Sequence, residues 1–146
     1  MRLKDKALGA ARGTFSIYKI KENTRTKILT RSNAIKAEAA EILAQMMAGN
    51  TAAIVQSIRL YSPGFVTILA QVTTEAVVSI DGTEHTVTYQ GNFLEDSFTG
   101  EVNAAYLGPI DMETYGAFAE AGPFSVTKEA DEQLVVEWAI HFVETS

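Results

Sequence analysis

The sequence predicts a mainly β fold: an antiparallel β-sandwich or partly closed barrel with one amphipathic helix, about residues 33–48, packed on it. Most of the chain alternates apolar and polar residues with a period of two, which is typical of strands. Asp81-Gly82 is a hairpin-turn dipeptide between two such segments. One stretch alone has helical spacings of three, four and seven between its apolar residues: Ile35, Ala39, Ile42, Leu43, Met46 and Met47. A lone amphipathic helix buries its apolar stripe against a sheet, which predicts a layered domain.

The composition is that of one globular domain. The chain has 146 residues, of which 47% are hydrophobic and 21% are charged. We expect a single β-sandwich domain over residues 14–146, preceded by an extended arm over residues 1–13. No apolar run approaches the ~20 residues of a membrane helix, and the arm lacks the apolar stretch of a secretion signal. Cysteine is absent, which excludes disulfides, thiolate metal sites and cysteine nucleophiles.

The charges are divided between the two ends of the chain. Residues 1–31 contain nine basic residues and two acids, a net charge of +7. Residues 95–146 contain Lys128 and eleven acids, a net charge of −10. This division suits head-to-tail or arm-to-body contacts between subunits. The alternative is that the opposite charges face each other across strands within one subunit.

The residue pattern in the first third of the chain predicts an arm, a hairpin and a helix. Gly9 and Gly13 interrupt the arm, whose alternative reading is a frayed terminus. Residues 14–20 and 26–31 form a basic hairpin with a turn at Asn23-Thr24. Ser32 or Asn33 would cap the helix, and Gly49-Asn50 would end it in a left-handed conformation.

The middle of the chain predicts further strands. Residues 53–61 form a strand, Ser62-Pro63-Gly64 a turn, and residues 65–71 another apolar run. Residues 73–89 form a half-buried hairpin around Asp81-Gly82, whose register pairs Ile80 with Thr83, Val78 with His85 and Ala76 with Val87.

The last third predicts strands over residues 91–100 and 101–107 and a long loop over residues 108–123. A final hairpin follows, with strands 124–128 and 133–143 and a bend over residues 129–132. Its second strand alternates without interruption, which indicates a central core strand with these inward residues: Leu134, Val136, Trp138, Ile140 and Phe142.

The candidate partner-binding residues lie in the arm and in the long loop. Charged and apolar groups of the arm would dock on a neighbouring subunit, and exposed apolar groups of the loop would add contact area. These candidates are Arg2, Leu3, Lys4, Lys6, Leu8, Arg12, Ile110, Met112, Tyr115 and Phe118. The alternative for the loop is that it folds its own aromatic side chains under itself.

The sequence offers no arrangement of catalytic or metal-binding residues, so we expect no enzyme activity, cofactor or metal. The two histidines, His85 and His141, have no metal-ligand spacing, and Glu137 lies ~13 Å from His141 along a strand. Asp111 and Glu113 resemble calcium ligands only loosely. The basic N-terminal region has the charge for phosphate contact, but the chain as a whole is acidic, with a pI near 4.9, which argues against nucleic acid as a partner.

The order of these features resembles small structural proteins of tailed bacteriophages, encoded among tail, fibre and capsid-decoration genes. The resemblance spans most of residues 14–143. It rests on Asn33-Ala34-Ile35 through Ala48-Gly49, on Ile54 to Leu60, on Gly100 to Leu107, and on Lys128 followed by Leu134, Val136, Trp138, Ile140 and Phe142. The chain departs from the family at Tyr61-Ser62-Pro63, where the family has a glycine-rich segment.

The resemblance implies a virion component that is assembled in the host cytoplasm and binds copies of itself and other virion proteins, with no membrane partner. The expected role is a tail, baseplate or fibre-anchoring part. One alternative is a capsid decoration (cement) protein that clamps major-capsid subunits. A further alternative, from a different class, is a carbohydrate-binding β-sandwich that would present exposed aromatic residues such as Tyr115 and Phe118.

Overall fold

The structure is a computed structural model that describes residues 11–65 and 67–143. It is mainly β, with antiparallel sheets packed together and one helix of more than two turns, which confirms the predicted fold class. No closed barrel forms among these residues. The strands are β1 Ala11–Lys21, β2 Thr24–Ile35, β3 Ser57–Tyr61, β4 Ile68–Thr73, β5 Glu75–Asp81, β6 Glu84–Phe93, β7 Gly100–Val102, β8 Ala104–Gly108, β9 Ala119–Ala121, β10 Val126–Lys128 and β11 Gln133–Val143. The helices are α1 Ala39–Met47 and the single turn α2 Met112–Tyr115.

Nine strands form one continuous antiparallel sheet in the order β4-β3-β8-β9-β2-β1-β11-β6-β5, and β10 pairs separately with β7. The nine-stranded sheet folds over, and β4 contacts β6. We call β2-β1-β11-β6-β5 the front sheet and β9-β8-β3-β4 the back sheet. The two sheets approach closely at Gly91 of β6, where an added Cβ would lie 2.9 Å from Val72 of β4. Glycine at this position therefore permits the close packing of the two layers.

The core lies between the sheets and is centred on β11. The inward residues predicted for this strand are confirmed: Leu134, Val136 and Trp138 have no exposed surface, Ile140 is 1% exposed, and Phe142 is partly buried against the core. The Trp138 ring meets the Phe15 ring of β1 edge to face, with centroids 4.8 Å apart. β11 is central because it pairs with β1 on one side and with β6 on the other.

Helix α1 begins later than predicted. Ser32 and Asn33 do not cap it, because both belong to β2, where they pair with Thr14 and Gly13 of β1. The predicted stripe holds for the buried Ala39 and Ile42 and for two partly buried residues, Leu43 and Met46. Ile35 is not part of the helix, because it is the last residue of β2 and pairs with Ala119. It is wrong for Met47, which is 88% exposed. The predicted left-handed stop is confirmed at Gly49, whose φ is 87°.

The Asp81-Gly82 hairpin forms, but its predicted register is wrong. Asp81 pairs with Glu84, so the turn residues are Gly82 and Thr83, and Val78 pairs with Val87 rather than with His85. Gly82 alone has a positive φ, 62°, in this turn, as expected for glycine at the first central position of a type II′ turn. The shift is two residues, an even number, so each side chain stays on the face of the sheet that the predicted register gives it. Strand β5 is nevertheless not half-buried, because all of its residues are exposed, whereas residues 84–89 of β6 are partly buried.

The predicted final hairpin is also wrong. β10 pairs with β7 and not with β11, since β1 and β6 already occupy both edges of β11. The predicted strand over residues 53–61 is shorter, because residues 51–53 form a 3-10 turn and β3 begins at Ser57. The predicted loop over residues 108–123 contains α2 and β9. β1 begins at Ala11, so the last three residues of the predicted arm are part of the front sheet.

Lys128 connects the β10 end of the domain to the loop after β6. Its side chain has no exposed surface. The ammonium group donates hydrogen bonds to the backbone carbonyls of Glu95 and Phe98, at 2.7 Å each, and of Glu129, at 3.2 Å. It also lies 5.4 Å from the centroid of the Phe98 ring. A single buried cation therefore satisfies three carbonyl groups and holds residues 95–98 against β10.

Candidate interaction surface

Of the predicted partner-binding residues in the arm, only Arg12 lies within the described part of the chain. Arg2, Leu3, Lys4, Lys6 and Leu8 lie outside it. Arg12 is exposed on β1, and its guanidinium is 2.9 Å from the carboxylate of Glu84 on β6. Glu84 lies outside the acidic region of residues 95–146, but three other ion pairs join the basic and acidic regions within one subunit, as the alternative reading of the charge layout predicts: Lys19–Glu132, Lys21–Asp131 and Arg25–Glu137.

The predicted contact residues of the long loop have different environments. Ile110 is 51% exposed and is available to a partner. Met112 and Phe118 are buried, at 7% and 4% exposure. Tyr115 is half-buried against the core, and Asn50 donates a 3.2 Å hydrogen bond to its hydroxyl. Three of these four side chains therefore pack under the loop, as its alternative reading predicts, and Tyr115 and Phe118 form no exposed aromatic platform.

The most exposed apolar region of the described residues is strand β5, at one edge of the front sheet. Val77 is 64% exposed, and Val78 and Ile80 are each 66% exposed. Because side chains alternate along a strand, Val77 lies on one face of the sheet and the other two lie on the opposite face. β5 pairs with β6 on one side, and no other described strand pairs with it. It contains no lysine, proline or bulge, the usual features that protect an edge strand from association.

The opposite edge of the front sheet is formed by β2. This strand pairs with β1 along its length but with β9 only at Ala34 and Ile35. Within the described chain, the outer side of residues 24–33 therefore has no strand beside it. A bulge leaves Ile28 without a cross-strand partner, and this side chain is 41% exposed.

The two edge hairpins of the front sheet carry opposite charge. Residues 11–35, which form β1 and β2, contain six basic residues and one acid, a net charge of +5. Residues 75–93, which form β5 and β6, contain three acids and neither lysine nor arginine, a net charge of −3. One edge of the front sheet is thus basic and the other is acidic and apolar.

A polar cleft of about 360 Å³ lies on the outer face of the back sheet. Arg59 of β3 is only 6% exposed because its neighbours enclose it, and it donates hydrogen bonds to both carboxylate oxygens of Glu113, at 2.8 and 3.2 Å. Beside it, the rings of Tyr61 and Tyr106 have centroids 4.9 Å apart. Lys36 forms a 3.2 Å ion pair with Glu120 and lies 5.5 Å from the centroid of the Tyr106 ring.

The ionisable groups of this cleft stabilise one another in their charged forms. Burial lowers the pKa of the Arg59 guanidinium, but the hydrogen bonds and charge interactions with Glu113 and Tyr61 together outweigh burial, and the net direction is upward. The same hydrogen bonds hold the pKa of the Glu113 carboxyl below its ordinary value of 4.5. Burial likewise lowers the pKa of Lys36, but the hydrogen bond to Glu120 together with the negative charges of Glu120 and Glu38 outweighs burial and raises it. The cleft is therefore a set of satisfied ion pairs at neutral pH.

We predict that Glu113 contributes to the acid sensitivity of the fold. Because its pKa is lower in the folded state, its contribution is complete above the ordinary value of 4.5 and is lost as the pH falls through the folded pKa. The Glu113→Gln variant should therefore lose less free energy of unfolding than the wild type between pH 6 and pH 3. Urea unfolding at both pH values measures this difference. Equal losses in the two proteins would contradict the prediction.

A row of polar side chains crosses the outer face of the front sheet at His141. The ring Nε2 lies 3.3 Å from Thr14 Oγ1, and Nδ1 lies 3.0 Å from Thr86 Oγ1 and 3.1 Å from Glu84 Oε1. Sequence reasoning placed only Glu137 beside His141, because Glu84 belongs to β6 and is distant in the chain. A hydroxyl, an imidazole and a carboxylate are the groups of an activated nucleophile, but here they lie on an open face whose backbone N–H groups pair within the sheet. The row cross-links β1, β6 and β11.

In the described part of the chain, no group of three or more histidine, aspartate or glutamate side chains could hold a metal ion. None of the helices in that part of the chain is long and apolar enough to cross a membrane. Comparison with known proteins found no match to the chain among family models, curated proteins or solved structures.

Proposed function

We propose that this chain is a non-enzymatic structural component of a tailed-bacteriophage virion, in the tail, the baseplate or the attachment of a fibre. It acts by adhesion to copies of itself and to other virion proteins. The sequence features that resemble tailed-phage structural proteins support the virion assignment. They include the alternating strand from Leu134 to Phe142.

The observation that carries the adhesive role is strand β5. Three large aliphatic side chains are each about two-thirds exposed on an unprotected sheet edge: Val77, Val78 and Ile80. Contact between these apolar side chains and water is unfavourable, and the free backbone groups of the edge can pair with another strand. Ile110, also half exposed, adds a second apolar contact on the loop after β8. A subunit with these surfaces is suited to permanent contact with neighbours.

Quantitative mass spectrometry of particles purified from cells that carry the gene tests this proposal. A few to a few tens of copies per particle would support a tail or baseplate part. Hundreds of copies would support the capsid decoration alternative, in which the chain clamps major-capsid subunits. Particles that lack the chain would overturn the virion assignment.

A carbohydrate-binding role is a second candidate, supported by one specific observation. Tyr61 and Tyr106 form an aromatic pair beside Lys36 and Glu120 in the back-sheet cleft, and sugar sites combine aromatic faces with charged hydrogen-bonding groups. Glycan-array binding by the full chain that is lost in the Tyr106→Ala variant would support this role. The Tyr18→Ala variant, which changes a tyrosine on the front sheet, is the matched control.

A further inference from the structure

The two free edges of the front sheet are suited to each other. The β5 edge presents exposed valine and isoleucine side chains between Glu75 and Asp81, and neither acid has an ion-pair partner among the described residues. The β2 edge presents Arg25 and Lys27 next to the exposed Ile28. Opposite charges beside apolar side chains favour pairing between these two edges.

The acids and the basic residues also lie on the same face of the sheet. Arg25 lies over the Tyr18 ring, 4.1 Å from its centroid, and donates a 2.8 Å hydrogen bond to Glu137, which points away from the core. Ala76 of β5 faces the core side of the sheet, because its partner Tyr89 pairs with the core residue Trp138. Glu75 and Asp81 each lie an odd number of residues from Ala76 along the strand. The two acids therefore point away from the core as well.

We propose that copies of this chain associate head to tail, with the β5 edge of one front sheet paired to the free part of β2, residues 24–30, in the next copy. The inference rests on the proposed structural function and deepens it by naming the partner and the contact. Four antiparallel steps separate β2 from β5, so both strands run in the same direction. A neighbour placed without inversion therefore forms a parallel pair and keeps its core face on the same side of the joined sheet.

The contact is staggered. Cross-strand pairs place five residues at one level of the front sheet: Ala76, Tyr89, Trp138, Phe15 and Arg31. Residues 24–30 precede Arg31 in β2, so they lie to one side of that level along the strand direction. Pairing β5 with them therefore shifts the next copy along the strands by about five residues, on the order of 17 Å. A staggered heterologous contact produces a ring if its rotation closes and a helical filament if it does not.

Pairing of two β5 strands with each other is less favourable. In the antiparallel arrangement centred on Val78, Glu75 of each copy lies opposite Asp81 of the other. Like charges directly opposite each other are destabilising, and both copies carry a net charge of −6. The basic β2 edge has no such repulsion.

Sedimentation of the full chain and of edge variants tests this assignment. Val77→Lys with Asp81→Lys makes the β5 edge basic, and Thr26→Asp with Lys27→Glu makes the β2 edge acidic. Each double variant alone should have a dissociation constant raised about tenfold or more, because like charges then meet at the contact. An equimolar mixture of the two should recover association, because every contact again joins opposite charges. Leu94→Lys, at a 52% exposed loop position, is the matched control and should associate as the wild type does.

Each other outcome overturns the inference. If the β2 variant alone still associates while the β5 variant does not, two β5 edges pair instead. If neither variant changes association but Ile110→Lys abolishes it, the loop is the contact, and the proposed structural function stands. If the wild type stays monomeric at every concentration, the head-to-tail contact is wrong, and the particle measurement decides the proposed function separately. Hydrogen exchange of the wild type adds a test that needs no variant, since association should protect both β5 and residues 24–30.

Discussion

The Trp138→Ala variant should lose about 3–5 kcal/mol of the free energy of unfolding, the range for truncating a buried tryptophan. Trp138 has no exposed surface and lies on the central strand β11. Its ring packs edge to face on Phe15, which in turn contacts Phe124, so the cavity would open where the front sheet meets the loop before β10. Urea unfolding followed by circular dichroism measures the loss.

The Trp138→Phe variant is the control for this result. The indole Nε1 has no hydrogen-bond partner among the described residues, so phenylalanine removes volume but breaks no hydrogen bond. We expect it to lose clearly less than the alanine variant, on the order of 1–2 kcal/mol. A loss below about 1 kcal/mol for Trp138→Ala would contradict the placement of this side chain at the centre of the core.

The second large effect is expected at Lys128. The Lys128→Met variant keeps most of the side-chain volume but leaves the carbonyls of Glu95, Phe98 and Glu129 without their donor. A carbonyl that loses its donor while shielded from water costs about 1–3 kcal/mol. This cost is reduced because Glu95 and Glu129 are exposed residues and because the buried charge is also removed. We therefore expect a net loss of roughly 2–4 kcal/mol in the free energy of unfolding.

The matched control is Lys21→Met. The Lys21 side chain is 52% exposed and lies 3.5 Å from Asp131, so it forms a surface ion pair. Its replacement should change the free energy of unfolding by no more than about 0.5 kcal/mol. Equal effects at Lys128 and Lys21 would show that the three carbonyls of Lys128 find other donors, and would contradict its role as a structural cation.

The resemblance to tailed-phage proteins pointed to Lys128 only as one position of a hydrophobic pattern. Sequence reasoning counted it as the one basic residue in an acidic region, which says nothing about burial. Lysine is almost never fully buried without partners, and here the partners are backbone carbonyls that no side-chain motif reveals. The same holds for Arg59, whose enclosure depends on Glu113 from a helical turn far along the chain.

Local patterns predicted the elements well where a period or a turn residue was strong. The alternation of β11 identified its inward residues, and Gly49 ended α1 as expected, because both features depend on near neighbours in the chain. Where two local signals competed, tertiary pairing decided. Ser32 and Asn33 are good helix caps in isolation, but pairing with β1 extended them into β2 and delayed the helix to Ala39.

The candidate surface was predicted only in part. The opposite charges of the two regions were evident from the sequence, and Ile110 was named correctly as an exposed apolar residue. The partner-contact hypothesis placed Met112 and Phe118 at the surface, but both are buried, as expected from the alternative that the loop folds under itself, because α2 and β9 turn that loop onto the core. The exposed edge at β5 was not predicted, since an alternating strand looks the same at an edge as in the middle of a sheet.

The sequence by itself determined the fold class, the central strand and the division of charge, because periodicity and composition depend only on the order of residues. The tertiary structure alone decided strand order, and with it that β2 and β5 form opposite edges of one sheet. Strand order depends on contacts between residues far apart in the chain, which no local pattern encodes. The exposure of Val77 and Val78 at a free sheet edge therefore follows from the folded sheet and not from the local sequence.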